Sequence, residues 1–365
     1  MQELLQSDDF RSIVLNNTPL IDVRAPVEFE KGAFPNSVNL PLMNNEERHL
    51  IGIKYKNEGN KEAVKLGHSL VSGKVKKDRI QAWLDFKQNN PDAMLYCFRG
   101  GQRSKISQEW IAENDQQITR LKGGYKAFRT YLMQEIENSV KMFKPIILGG
   151  HTGSGKTILL NNIKNSIDLE GLANHRGSSF GRKVTPQPTQ INFENALAYE
   201  LIQKLEAGYE NLLFEDEGKY VGSAYIPNNF ALYLAQAPLL ILKTPIEERV
   251  EITFDEYITK AHQEYAAAFG LEYLQLWYED MHNAMKRISR RMGLERYAHV
   301  CKLFDIAYEQ QKRDNDKILY KEWIHYLLSE YYDPMYEYQI KNNAKRIVFE
   351  GNKEEIEAYL NANII

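Results

Sequence analysis

Ile146-Ile147-Leu148-Gly149-Gly150-His151-Thr152-Gly153-Ser154-Gly155-Lys156-Thr157 is an apolar run that passes straight into glycines and then into a helical stretch, Ile158 to Ile163. A buried strand, a glycine turn and a helix in that order mark an α/β unit. The spacing Gly150-x4-Gly155-Lys156-Thr157 is the phosphate-cradling pattern, in which loop N–H groups surround phosphates and the lysine reaches the terminal pair. Gly150, Gly153, Ser154, Gly155, Lys156 and Thr157 are therefore candidate diphosphate-binding residues. Thr157 would ligate Mg²⁺ if a nucleotide were bound. Glu215-Asp216-Glu217, at the end of the strand Asn211 to Glu217, take the place of a metal-associated acidic cluster. A guanine-reading motif is missing, since Thr244-Pro245 follows a strand but lacks the required Asp. The loop can thus cradle any diphosphate ester. No tightly bound cofactor and no certain metal site are expected.

Upstream, residues 1 to about 135 alternate short apolar strands with helices. Leu20 to Arg24 and Ala93 to Tyr96 read as strands. Helices are expected from Ser104 to about Glu113 and from Tyr125 to about Val140. Downstream, Leu239 to Lys243 and Arg346 to Glu350 read as strands, and about 246–332 carry the 3.6-residue period of helices. Two domains follow, 1–135 and 136–365.

The strand ending at Tyr96 delivers a second loop, Cys97-Phe98-Arg99-Gly100-Gly101-Gln102-Arg103-Ser104. Only a thiolate attacks, so a nucleophilic cysteine needs positive surroundings. Loop amides and a helix N-terminus supply partial charge, and Arg99 and Arg103 supply full ones. Gly100 and Gly101 let the backbone curl around an anion. Cys97 is the candidate nucleophile, with Arg99, Gly100, Gly101 and Arg103 as its anion-binding partners.

Composition narrows the class. The 365 residues are 43% hydrophobic and 26% charged, ordinary for a globular chain. Two cysteines, Cys97 and Cys301, exclude a disulfide framework and a multi-cysteine metal site. Cys301 reads as a buried helical thiol. No apolar run is long enough to span a membrane, and the polar, acidic N-terminus is no signal peptide, so a cytoplasmic address is expected. A net charge of −3 does not by itself announce nucleic acid. Arg176 and Arg182, in the run His175 to Arg182, and the helical stripe Lys286, Arg287, Arg290 and Arg291 are candidate nucleic-acid or phosphate contacts. The tyrosines of Glu330 to Tyr338 read as interdomain packing, with base stacking as the other use.

The first 135 residues resemble the rhodanese family, through Ile21-Asp22-Val23-Arg24-Ala25-Pro26-Val27-Glu28-Phe29, Gly32 to Pro41, the cysteine loop and Leu121-Lys122-Gly123-Gly124-Tyr125. That resemblance implies a parallel-sheet domain carrying sulfur or selenium on Cys97. One departure stands out. Sulfurtransferases space the cysteine and arginine as Cys-x4-Arg, whereas Cys97 and Arg103 are Cys-x5-Arg, as in the phosphatase-like members that enclose a tetrahedral phosphate. Such a loop suits a phosphate-bearing donor.

Over its full length the chain resembles the tRNA 2-selenouridine synthase family, on Leu40 to Asn45, Arg99 to Ser104, Leu169 to Ser178 and Glu330 to Tyr336. The implied architecture is a rhodanese-like domain, then a P-loop α/β domain with a helical extension. The implied activity acts on 2-thiouridine at wobble position 34 of tRNA. The sulfur is first S-alkylated with geranyl diphosphate, and the geranylthio group is then replaced by selenium from selenophosphate. The implied partners are tRNA and an enzyme that supplies selenophosphate, with no membrane. Two other readings remain open on the residues. One is a Cys-x5-Arg phosphatase fused to a P-loop kinase. The other is a non-catalytic, nucleotide-gated tRNA-binding sulfur carrier.

Overall fold

In the computed structural model, which describes residues 4–363, the chain divides into two units: residues up to 139 together with 189–208, and 140–188 together with 209 onward. The first holds five short strands, β1 (Gln6–Ser7), β2 (Leu20–Asp22), β3 (Ser37–Asn39), β4 (Met94–Tyr96) and β5 (Thr119–Leu121). They pair in the order β1-β5-β4-β2-β3, and every pairing is parallel. Parallel strands need crossover helices, which here are α1 (Phe10–Leu15), α2 (Pro26–Phe29), α3 (Asn45–Leu70), α4 (Gly73–Asn89), α5 (Gln102–Ala112) and α6 (Gly124–Ser139). Trp83, Leu95, Trp110 and Ile111 lie in the core against β2 and β4, and Cys97 joins that cluster at the carboxyl end of β4. Ligands of such sheets sit beyond the carboxyl ends of the strands.

A later helix, α9 (Gln190–Glu206), belongs to this first unit. Asn192 Oδ1 accepts from the Ala33 amide at 2.7 Å, and Asn195 Nδ2 donates to the Ala33 carbonyl at 2.7 Å. Arg129 on α6 donates to Asn195 Oδ1 and pairs with Glu194. A boundary read from sequence order near residue 136 does not anticipate this return. The polar residues that fasten α9 look, in sequence, like any solvated helix face.

The second unit is built on β6 (Lys144–Gly150), β7 (Ser166–Ile167), β8 (Asn211–Glu215), β11 (Leu239–Leu242) and β12 (Ile347–Gly351), parallel throughout in the order β12-β11-β6-β8-β7. β9 (Tyr220–Val221) and β10 (Ala224–Tyr225) form a small antiparallel pair. Around the sheet stand α7 (Lys156–Asn161), α8 (Leu169–Leu172), α10 (Asn228–Leu234) and α17 (Lys353–Asn363). The expected helical region is present as α11 (Ile246–Phe254), α12 (Ala261–Phe269), α13 (Tyr273–Met292), α14 (Leu294–Asp314), α15 (Tyr320–Leu327) and α16 (Asp333–Asn342). Two π-helical stretches, Asp255–Lys260 and Leu328–Tyr332, interrupt it. Trp277, Met285, Phe304, Tyr320 and Trp323 fill its core, and Cys301 packs against them. Burial pushes the Cys301 thiol above its ordinary value, as suits a structural cysteine.

Among the described residues no helix is long and apolar enough to cross a membrane.

Candidate functional site

The cysteine loop is held from below by the turn after β5. The Tyr125 amide donates to the Cys97 carbonyl and the Lys126 amide to the Phe98 carbonyl, both at 2.9 Å. This requires Gly124, at φ +59°, because a Cβ there would sit 2.3 Å from the Cys97 carbonyl oxygen and 2.3 Å from the Gly100 nitrogen. Arg120 donates to the Gly100 carbonyl from the same side. With the carbonyls so engaged, the amides of Phe98, Arg99, Gly100 and Gly101 donate to no protein acceptor among the described residues. They are available to an anion.

Cys97 is 3% exposed, and its thiol donates to Ser104 Oγ at 3.2 Å. Ser104 Oγ donates in turn to the Gly101 carbonyl at 3.0 Å. Residue spacing alone gives Ser104 no role beyond opening the helix. Its signal is its position one residue past Arg103, on the first turn of α5 and therefore facing the loop. Arg103 is bidentate to Glu28, at 2.6 and 3.2 Å, and Arg48 reaches the same carboxylate at 3.0 Å. Burial pushes the Glu28 carboxyl up, but the hydrogen bonds and charge of Arg103, helped by Arg48, outweigh this and hold it below its ordinary value. Arg99 is exposed, with its guanidinium 5.9 Å from the Phe98 ring. The arginines therefore differ: Arg103 is fixed by Glu28, whereas Arg99 projects into solvent.

An apolar cavity of about 360 Å³ adjoins this loop, lined by Leu42, Met43, Ile51, Ala63, Val64 and Trp110, with Arg48 and Arg103 on its wall. Nothing in the residue spacing signalled it, because its lining comes from α3, α5 and the segment after β3.

The phosphate loop joins β6 to α7. Gly153, at φ +78°, lies so close to α11 that a Cβ would meet Thr253 Oγ1 at 2.4 Å. Buried Arg249 donates Nε to the Thr152 carbonyl at 3.0 Å and grips Asp333 with both terminal nitrogens, at 3.0 and 2.6 Å. Thr244 Oγ1 donates to the Ser154 carbonyl at 2.9 Å. Asp333 of the tyrosine-rich segment thus braces the loop through Arg249. Tyr331, Tyr332 and Tyr336 pack within the second unit's own helical core. Tyr336 also lies 5.9 Å below Lys156 Nζ.

Lys156 donates to the carbonyls of Gly150 at 3.0 Å and His151 at 3.3 Å. It lines a cavity of about 370 Å³ shared with Thr157, Glu170, Arg176, Lys183 and Tyr257. Gly153, Ser154 and Gly155 lie on its wall, and Gly150 stands behind them at the end of β6. Arg176 faces this cavity but is already paired with Glu256 and Glu264, at 3.4 and 2.6 Å. Arg182 bridges to His175 through its backbone, and Arg287 donates to the Ser179 carbonyl at 2.7 Å. Lys286 and Arg290 are exposed on α13 without ion-pair partners among the described residues, and exposed Arg291 hydrogen-bonds Tyr331.

The acidic cluster differs in membership from its sequence reading. Glu215 and Glu217 converge with Glu170, their carboxylate oxygens within 4.8 Å of one another, while Asp216 is exposed and stands outside. Glu170 comes from the α8 turn, far along the chain, which is why spacing did not reveal it. Thr157 Oγ1 donates to Glu215 Oε1 at 2.8 Å, yet Glu215 Oε2, on a residue 1% exposed, has no partner. Burial comes first for all three and a neighbouring carboxylate's repulsion adds to it for Glu170 and Glu215, pushing Glu170 up to about 9, Glu215 to about 8 and Glu217 to about 7, while a hydrogen bond with Glu170 pulls Glu217 the other way. An orphaned buried carboxylate oxygen among oxygen-only donors is a good fit for Mg²⁺.

A pH effect follows. These carboxyls hold protons in the folded chain that they release near 4.5 when unfolded. The folded state therefore binds more protons, and stability falls with rising pH. The contribution is complete below about 4.5 and is lost as pH rises through about 7, 8 and 9. Calorimetry should show the metal-free melting temperature dropping between about pH 4.5 and 9, Mg²⁺ restoring it, and Glu215→Gln flattening both responses.

Comparison with known proteins places these features. Residues 143–364 match the family model for the tRNA 2-selenouridine synthase AAA domain, and residues 3–131 match the rhodanese-like domain. A tRNA 2-selenouridine synthase from Sulfurovum sp. (strain NBC37-1) is 68% identical over 99% of this chain and 99% of its own. That from Hydrogenovibrio crunogenus is 50% identical over 97% of this chain and 98% of its own. That from Pseudomonas syringae pv. syringae (strain B728a) is 44% identical over 97% of each.

Proposed function

The chain belongs to the tRNA 2-selenouridine synthase family, and from that premise we propose that it converts 2-thiouridine at the tRNA wobble position to 2-selenouridine in two chemical steps at its two anion sites. In the first, the uridine sulfur attacks the allylic carbon of geranyl diphosphate. The C–O bond to the diphosphate breaks as the C–S bond forms, and the N3 proton of the uridine is released to water. Gly153 to Thr157 and Lys156 bind the departing diphosphate, whose charge grows as the bond breaks. Thr157, Glu170, Glu215 and Glu217 would hold Mg²⁺, which when bound neutralises part of that charge. In the second step selenium from selenophosphate replaces the geranylthio group beside Cys97.

Alkylation explains why two sites are needed. The sulfur of a thiocarbonyl leaves poorly, whereas a thioether sulfur leaves as a stable thiolate. The observation that carries this reading is the pairing of a thiol loop open to an anion with an apolar cavity on its flank. A phosphatase loop has no use for the cavity, but a geranyl group does. An apolar void of about 150 Å³ already accepts benzene, so about 360 Å³ has room for the longer chain. Arg182, Lys286, Arg287 and Arg290 remain the tRNA contacts we propose.

Filling the cavity is the experiment. Ala63→Phe should slow selenation of S-geranyl tRNA by about tenfold or more through lost apolar contact, and leave formation of the S-geranyl product within about twofold. Liquid chromatography and mass spectrometry of the nucleosides give both rates. Unchanged selenation would reject the cavity as the geranyl site.

A further inference from the structure

We propose that Cys97 attacks the phosphorus of selenophosphate, not its selenium, and that Cys97 and Ser104 form a phosphoryl-transfer pair that liberates hydroselenide at the tRNA. The inference rests on the reading that selenophosphate is the donor.

Electron counting favours it. Selenium in selenophosphate is at the selenide level, and the selenocarbonyl product is at the same level. A perselenide on Cys97 would be two electrons more oxidised. An oxidant would be needed to make it and a reductant to discharge it. The chain's other cysteine, Cys301, is committed to the helical core of the second unit. Attack at phosphorus needs neither. The Cys97 Sγ–P bond forms as the P–Se bond breaks, and hydroselenide leaves with the electron pair. Hydroselenide adds to C2 of the S-geranyl uridine; the C2–S bond then breaks, and geranylthiolate departs and takes up a proton. Water attacks the S-phosphocysteine, the P–S bond breaks, and orthophosphate and the Cys97 thiolate are regenerated. The sum is selenophosphate, S-geranyl uridine and water giving selenouridine, geranylthiol and phosphate.

The loop is built for this. Five residues separate Cys97 from Arg103, and the amides of Phe98 to Gly101 are open to the oxygens of a tetrahedral anion. Glu28 fixes the Arg103 guanidinium from behind with two hydrogen bonds. Ser104 Oγ, 3.2 Å from the sulfur, accepts from the thiol and can turn to donate to the thiolate. That donation is worth most when sulfur is the leaving group, in the hydrolysis of the phosphocysteine. A phosphatase acting on alcohol esters also needs a neutral acid to protonate the leaving alkoxide. The carboxylate in contact with Arg103, Glu28, is held ionised and cannot serve. Hydroselenide is weakly basic and leaves without that help.

The test is to incubate full-length wild type, Ser104→Ala and Cys97→Ser with selenophosphate, quench in alkaline denaturant, which preserves a P–S bond, and map adducts by mass spectrometry. A phosphoryl group should appear on Cys97. It should accumulate about tenfold or more in Ser104→Ala, the worth of one lost hydrogen bond to the leaving sulfur, and be absent from Cys97→Ser. Rapid quenching of the wild type gives the same readout without substitution at Ser104. Selenium on Cys97 without phosphorus overturns the proposal. So does the absence of any phosphoryl adduct while the wild type still converts S-geranyl tRNA with selenophosphate. If the wild type makes no selenouridine from those two substrates, the donor reading itself fails.

Discussion

Replacing Lys156 with alanine should cut S-geranylation of thiolated tRNA by about a hundredfold or more, while selenation of tRNA that already carries the geranyl group persists. Lys156 is parked rather than idle. Its ammonium group bridges the Gly150 and His151 carbonyls over the Tyr336 ring, inside the cavity that the loop amides line. Those contacts aim the charge before any ligand arrives. A diphosphate leaving group gains negative charge as its C–O bond breaks, so a prepositioned cation stabilises the transition state more than the ground state. Removing one such preorganised group costs about 10²–10³ in rate. The substitution leaves the loop in place, since both acceptors are carbonyls of a loop that Arg249 and Thr244 hold independently. Nucleoside mass spectrometry with geranyl diphosphate reads the first step, and the same analysis on pre-geranylated tRNA with selenophosphate reads the second. A normal yield of S-geranyl product would dismiss the loop as the diphosphate site.

How much of this was legible in sequence depended on range along the chain. Both glycine loops, the strands that deliver them and the helices that follow were readable, because strand, turn and helix lie within about twenty residues, and Gly100, Gly150, Gly153 and Gly155 take the positive φ that only glycine adopts freely. Asp333, Glu170 and the apolar cavity were not, because each acts on a residue remote in sequence. Asp333 reaches Arg249 across 84 residues, and Glu170 meets Glu215 from another strand's end. Arg103 and Arg176 were readable as arginines near loops but not as arginines already paired, since Glu28 and Glu264 lie 75 and 88 residues away. The return of α9 to the first unit fails to show for the same reason: its apolar stripe of Phe193, Leu197, Leu201 and Ile202 announces a docked face but not the unit it docks on, and the Ala33 partners of Asn192 and Asn195 lie 159 and 162 residues back.

Cys97→Ala should abolish selenation and leave S-geranylation intact. The two steps draw on different cradles: the first step as proposed uses Lys156 and Thr157, whose hydrogen bonds run to the Gly150 and His151 carbonyls and to Glu215. Alanine is tolerated in the fold, because Cys97 is held by its backbone, with its carbonyl bound to the Tyr125 amide, and among the described residues its thiol makes one hydrogen bond, to Ser104. The lost sulfur leaves a small void at the edge of the β4 core, and truncation of that size costs about 1 kcal/mol or less, too little to unfold a domain with two buried tryptophans in the same cluster. The variant should therefore accumulate S-geranyl tRNA to completion in the presence of both donors, whereas the wild type passes it on to the selenonucleoside. Cys97→Ser sharpens the result: it keeps the size and the hydrogen bond to Ser104 but removes the nucleophile, and should fail equally. Loss of both steps in either variant would mean that the thiol loop serves alkylation as well, and the division of labour between the two units would have to be given up.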